Sequence, residues 1–290
     1  MDEQQLVERF RRSMARADPR VRLGIGDDAA VLSDGTVLSV DAVVEGVHFE
    51  RSWLGLPELG FRGTVAALSD LAAMGASPVA ILSSLTASEA SDGQALMIGV
   101  EQAAKQYGAV VVGGNVARGD TLSLHTTVVG RCEAAFTRSG ARPGDAIFVT
   151  GTLGSAALGW RRLRAEEPEQ PFVSRWRRPS ARFDIASQIQ PTACIDISDG
   201  LVRELGLICS ASDVAAHLDV SAVPVHPQLA ASARALAEWS DVDADLHADH
   251  LALYGGEDYE LLFTAPISLS PEVATRIGEI RPGEGVMITT

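Results

Sequence analysis

The sequence predicts a mixed α/β or α+β protein in two domains. Strand-like and helix-like periodicities alternate along the chain. The alternation restarts after "TRSGARPGD" (137–145), a polar stretch rich in glycine and proline. The 290 residues also exceed what one hydrophobic core usually organises. Together these place an N-terminal domain over 1–137 and a second α/β domain over 138–290.

In chain order, residues 4–16 have the spacing of an amphipathic helix. "TVLSVDAVV" (36–44) is β-branched and reads as a strand. A helix follows over 57–76, with Leu59, Val65, Leu68, Leu71 and Ala72 near one face. "PVAILSSLT" (78–86) is a strand and 89–107 a helix. "AVVVGGN" (109–115) and "LSLHTTVVGRC" (122–132) read as strands flanking a glycine turn. Past the boundary come a strand "AIFVTG", a helix "SAALGWRRLR", a helix near 179–190 and a strand "ACIDIS". A helix "LVRELGLICSAS" and strands "VAAHLDV" and "EDYELLFTAP" (257–266) complete the pattern.

A formal net charge of −14 argues against nucleic acid or an anionic membrane as the main partner. Three cysteines without a CxxC pair argue against a disulfide framework or a zinc site, as expected of a cytoplasmic protein. The N-terminus has no signal-peptide core, and no stretch approaches a membrane span.

The informative residues are aspartates that intrude on apolar elements. Asp27 and Asp28 sit in "GIGDDAAVL", where a glycine–aspartate turn accounts for them equally well. As adjacent residues of an extended segment they should point apart. Asp41 lies within a strand pattern, and His48 beyond it reads as a hydrogen-bonded core histidine. Asp70 falls inside an apolar helix, where an unpaired carboxylate is costly. In "IDISDGL", Asp196 and Ser198 share a face if the segment is extended, and Ser198 or Asp199 could cap the next helix. "GGNVARGD" (113–120) could bring backbone N–H groups to a phosphate, but no P-loop occurs. "GGEDYELLFT" reads as a turn with a solvated Glu257–Asp258 pair. Hard oxygen donors without a histidine or cysteine cluster select magnesium, which is usually shared with substrate phosphates. The residues alone therefore indicate a magnesium-dependent, phosphate-handling enzyme.

Eight segments in order, from "GIGDDAAVL" through "SVDAVVEGVHF", "ALSDLAAMGASP", "GGNVARGD", "TRSGARPGD", "VTGTLG" and "IDISDGL" to "GGEDYELLFT", resemble the thiamine-monophosphate kinases of the aminoimidazole ribonucleotide synthetase superfamily. The resemblance implies N-terminal domains paired in a homodimer, with thiamine phosphate and ATP as substrates and several magnesium ions. It implies metal contacts at Asp28, Ser39, Val40 (through its backbone), Asp41, Asp70, Asn115, Asp196 and Asp199, with Asp27 in support. ATP contacts fall on Gly114, Asn115, Arg138 and Ser198, and substrate contacts on His48 and Glu257. Transfer is then direct and in line, with no residue acting as nucleophile, acid or base. Asn115 stands where many relatives carry aspartate, and the sequence ends at "GEGVMITT", before an aromatic segment resembling "GYxHF". Two alternatives stand beside this: another ATP-using enzyme of the superfamily, and a nucleotide-binding protein without turnover.

Overall fold

The computed structural model describes residues 3–14, 17–167, 171–239, 246–266 and 269–289. Its architecture is mixed α+β, built on two six-stranded sheets. The first contains β1 (Val21–Leu23), β2 (Ala30–Leu32), β3 (Thr36–Val44), β4 (Ser77–Ala87), β5 (Val110–Arg118) and β6 (Ser123–Arg131), in the order β1-β2-β3-β6-β4-β5. Only β4 and β5 run parallel, because α3 (Ala90–Tyr107) carries the chain back between them. The register sets Asp41 of β3 opposite Thr126 of β6, Thr126 opposite Ser83 of β4, and Ser83 beside Gly114 of β5.

The second sheet contains β7 (Ala146–Val149), β8 (Ala193–Asp196), β9 (Ala215–Asp219), β10 (Leu261–Ala265), β11 (Thr275–Arg281) and β12 (Gly285–Thr289). Its order is β12-β9-β11-β7-β10-β8, again with one parallel edge pair, β12 and β9. The remaining helices are α1 (Glu3–Met14), α2 (Leu56–Ala73), α4 (Ser155–Arg164), α5 (Phe172–Arg177), α6 (Phe183–Ala186), α7 (Leu201–Ser212), α8 (Leu229–Trp239) and α9 (Ala248–Tyr254).

The helix α2 explains how the two sheets meet. It is almost wholly buried and built from small residues, with one side on the first sheet. Its end, Ala72 and Ala73, packs with Phe148, Cys194 and Phe263 of the second. It also crosses α3 at backbone contact. A Cβ on Gly60 would collide with the Leu96 carbonyl, and one on Gly99 with the Pro57 carbonyl. Glycine on both helices removes the side chains that normally hold axes 8–10 Å apart. The other face of the first sheet is open: Val40 is 63% exposed there, and the edge strand β5 exposes Val110, Val112 and Val116.

Several predicted elements shift. The helix expected over 57–76 stops at Ala73, because Gly75 turns into the left-handed region at φ +63°. β5 runs straight through the glycines to Arg118, so the turn expected at "GGN" falls after it. The helix expected near 179–190 is reduced to the single turn α6, and the short α5 lies before it. The strand expected from 257 begins at Leu261, because Gly256, Glu257 and Tyr259 all have positive φ. No helix among the described residues is long and apolar enough to cross a membrane.

Candidate active site

The aspartates that looked misplaced converge. Asp70 and its neighbour Ser69 stand in the last turns of α2 and reach two different strands. Ser69 donates its hydroxyl to Asp196 Oδ2 at the end of β8, at 2.6 Å. Ser39 of β3 donates to Asp70 Oδ2. Asp28, in the loop before β2, completes a trio: one carboxylate oxygen each from Asp28, Asp70 and Asp196 lies within 4.8 Å of the others.

Three buried acids in so small a volume need positive charge. Arg138 supplies part of it, with Nε 3.1 Å from Asp28 Oδ1 and Nη2 on the same oxygen. Its backbone N–H donates to Asp27, fixing the segment that carries it. The second oxygen of Asp28 is buried and has no hydrogen-bond partner. Burial pushes the Asp28 carboxyl well above the usual range, and repulsion from Asp196 and Asp27 adds to this against the pull of Arg138. Burial likewise raises Asp70, with Asp196 and Asp28 adding repulsion. Asp196 rises to about 6 through burial, opposed by the Ser69 hydrogen bond and by Arg138. Converging hard oxygen donors with one oxygen left unpartnered are the chemistry of a magnesium site, and the set fits that ion.

The other predicted residues divide by position. Asp41 lies on the same β3 face as Ser39, and its carboxylate accepts the Ala42 N–H at 2.6 Å. Val40 points to the open face, so only its backbone is available inward. Asp199 is half exposed at the cleft and pairs with Arg203 at 2.7 Å. Neither it nor Ser198 caps α7, whose N-cap is Gly200. Instead Glu204 reaches back to the Asp199 N–H at 3.1 Å and to the Ser198 hydroxyl at 3.3 Å. Burial lifts Glu204 to about 7. A cleft of about 1170 Å³ is lined among others by Asp28, Ser39, Arg138, Ser198, Asp199 and Glu204.

His48 is exposed, not a core histidine, and its Nδ1 accepts the Val44 N–H at 3.1 Å. Glu257 is not a freely solvated turn carboxylate: Arg62 binds one oxygen and Trp176 Nε1 donates to the other at 2.6 Å. Asp258 is fully buried and accepts the Gly154 and Ala156 N–H groups at the start of α4. Gly114 and Asn115 are not gathered with the others. They lie on β5, three strands from β3, a distance of about 14 Å at ordinary strand spacing.

Sequence reasoning passed over Ser69, Arg62 and Trp176. Arg62 carried the same signal that singled out Asp70, a charge inside an apolar helix, and it is buried. Ser69 and Trp176 carried none, since a helix serine and a core tryptophan are ordinary.

The fold and the acidic site define a class. Residues 26–132 match the family "AIR synthase related protein, N-terminal domain". Among more distant structures, a hydrogenase maturation protein of Escherichia coli shares the fold, with a TM-score of 0.67 at 20% identity over 100% of this chain and 95% of that one. The thiamine-monophosphate kinase of Methanopyrus kandleri is 34% identical over 99% of this chain and 92% of its own length. That of Escherichia coli K12 is 36% identical over 85% of this chain and 77% of its own. A solved complex of AaThiL with AMPPCP and TMP superimposes with a TM-score of 0.87 at 32% identity, covering 99% of this chain and 93% of that one. The chain belongs to the thiamine-monophosphate kinase family.

Proposed function

We propose that this protein phosphorylates thiamine phosphate with ATP, giving thiamine diphosphate and ADP. The observation that carries the reading is the Asp28–Asp70–Asp196 trio, whose Asp28 lines a cleft with Arg138, Ser198 and Asp199 in a chain of this family. Magnesium held by these carboxylates would neutralise the phosphates that must approach one another. Ser39, Asp41, Asp199 and the Val40 backbone complete the metal set in this reading, with Asp27 anchoring Arg138. Arg138 gives its planar fork to ATP, for which its place at the cleft is suited. Ser198 faces the nucleotide, and His48 and Glu257 face thiamine phosphate. The attacking oxygen belongs to a phosphate already anionic near neutral pH, so the chain needs to align it rather than deprotonate it.

Gly114 and Asn115 bear on the assembly. Within one chain they stand apart from the trio, on an edge strand whose valines face outward. An exposed apolar edge of this length invites a second copy. We place these residues at the nucleotide of a homodimer formed through the N-terminal domain, residues 1–137, while 138–290 closes the cleft. The unpaired cysteines and the ATP requirement fit a cytoplasmic enzyme without nucleic-acid or membrane partners.

The decisive assay supplies ATP, magnesium and thiamine phosphate and quantifies thiamine diphosphate. Magnesium-dependent product is expected. Its absence from correctly folded protein would sink the reading. Val116→Lys should convert a dimer to a monomer in light scattering; an unchanged mass would remove β5 from the interface.

A further inference from the structure

Both oxygens of the Glu257 carboxylate are held, one of them by a helix of the other half of the molecule. Arg62 of α2 is buried, with a side chain only 5% exposed. It spends one end of its guanidinium on the Trp176 carbonyl and the other on Glu257 Oε1. The same group lies over the Trp176 ring, 4.1 Å from its centroid. Trp176 returns its indole N–H to Glu257 Oε2. The backbone of Glu257 is held as well: its N–H donates to the Ser198 carbonyl at 2.7 Å, with φ at +60°. A non-glycine residue in that region is strained and persists only where its surroundings fix it.

We propose that Arg62 is a positioning residue for the acceptor substrate. It holds Glu257 as a neutralised carboxylate at a fixed distance from the acidic trio. This deepens the kinase reading and rests on it for the identity of the substrate. The distance is set by one rigid element. Arg62 and Asp70 belong to the same buried helix, and eight residues at 1.5 Å each separate them by about 12 Å along its axis. Each Glu257 oxygen has one protein donor and so keeps a lone pair for a ligand N–H. The carboxylate's side chain is 34% exposed, while the arginine behind it is hidden. A ligand therefore meets an acceptor whose charge is already balanced. Such a group can take the amino group of the thiamine pyrimidine without repelling the phosphate beside it.

The test uses two conservative variants. Arg62→Lys keeps the charge but cannot serve two acceptors and a ring face at once. Trp176→Phe keeps a ring beneath Arg62 but loses the N–H, and stands in should the lysine variant fail to fold. Thiamine phosphate would be titrated calorimetrically into each protein with ADP and magnesium present, and ADP affinity would be measured separately. We expect thiamine phosphate to bind roughly tenfold more weakly in both variants, as for the loss of one charge-assisted contact, with ADP affinity within about twofold of wild type. Unchanged thiamine phosphate affinity would overturn the proposal, and so would parallel losses for both ligands, which mark a merely structural role. A wild type that takes up no thiamine phosphate also overturns it. A wild type that binds thiamine phosphate yet forms no product with ATP breaks the kinase reading alone, and the affinity ratio still decides the role of Arg62.

Discussion

Two groups of buried carboxylates lie in this molecule, and their partners differ. The trio Asp28, Asp70 and Asp196 faces one arginine and leaves an oxygen of Asp28 unpartnered. The second group, Glu260 with Asp258, is saturated from within. Glu260 is 2% exposed and accepts from Thr150, Arg175 and Arg182, the last at 2.9 Å. Asp258 takes two N–H groups from the first turn of α4, where a negative charge meets the positive end of the helix. Burial depth is alike; completeness of pairing is not. The saturated knot ties α5 and the segment before α6 to the start of β10 and leaves nothing for a ligand. The deficient trio keeps an unpartnered oxygen for something else to meet, which is what makes it a site.

The sharpest way to break this comparison is to neutralise one member of each group. Asp70→Asn should lower kcat by roughly a thousandfold, as expected when electrostatic stabilisation of the transition state is lost. The same change should raise the melting temperature of metal-free protein, because it removes a repelled charge. A variant that is both active and unchanged in stability would place Asp70 among ordinary buried acids. Glu260→Ala should do the reverse. It takes away the buried carboxylate that Arg175 and Arg182 share, leaving them the Asp258 carbonyl and the exposed Asp184, and should cost about 3 kcal/mol in denaturant titration.

A smaller effect tests the helix that connects the groups. Gly99→Ala places a methyl against the Pro57 carbonyl and should destabilise the fold by about 1–3 kcal/mol through overpacking. A further test is in pH. Burial raises Asp258 to about 7 and Asp196 to about 6, from 3.8 for both when exposed. Between about pH 4 and 7 the native protein thus holds protons that the unfolded chain has lost, so stability should fall as pH rises through that window. Magnesium should flatten the part due to Asp196 and leave the part due to Asp258. Thermal melts across pH with and without the ion would separate them, and identical slopes would contradict the assignment of the ion to the trio.

Much of this was legible because the intrusions were local. β3 forms over 36–44 as its β-branched run predicts, and Asp28, Asp41, Asp70, Asp196 and Asp199 were each visible as an acid in the wrong company. What the sequence hid depended on distance along the chain. β11 and β12 are ordinary segments until β9 and β7 give them partners from far upstream. The clamp on Glu257 joins residues 195 positions apart, and no local pattern announces it. The loop before β10 reads as strand because its side chains are buried, whereas its backbone passes through three positive-φ residues. Propensity describes side chains on a pleated surface and is silent when burial is achieved by a contorted turn.

The glycine crossing of α2 and α3 has a mechanical consequence. Between most packed helices, side chains act as a cushion that can change rotamer and absorb a displacement. At Gly60 and Gly99 backbone meets backbone, and the cushion is absent. A push on α3 must therefore pass to α2 undamped, and α2 carries both Arg62 and Asp70. The outer surface of α3, where Ile98 is half exposed, stands in series with the site.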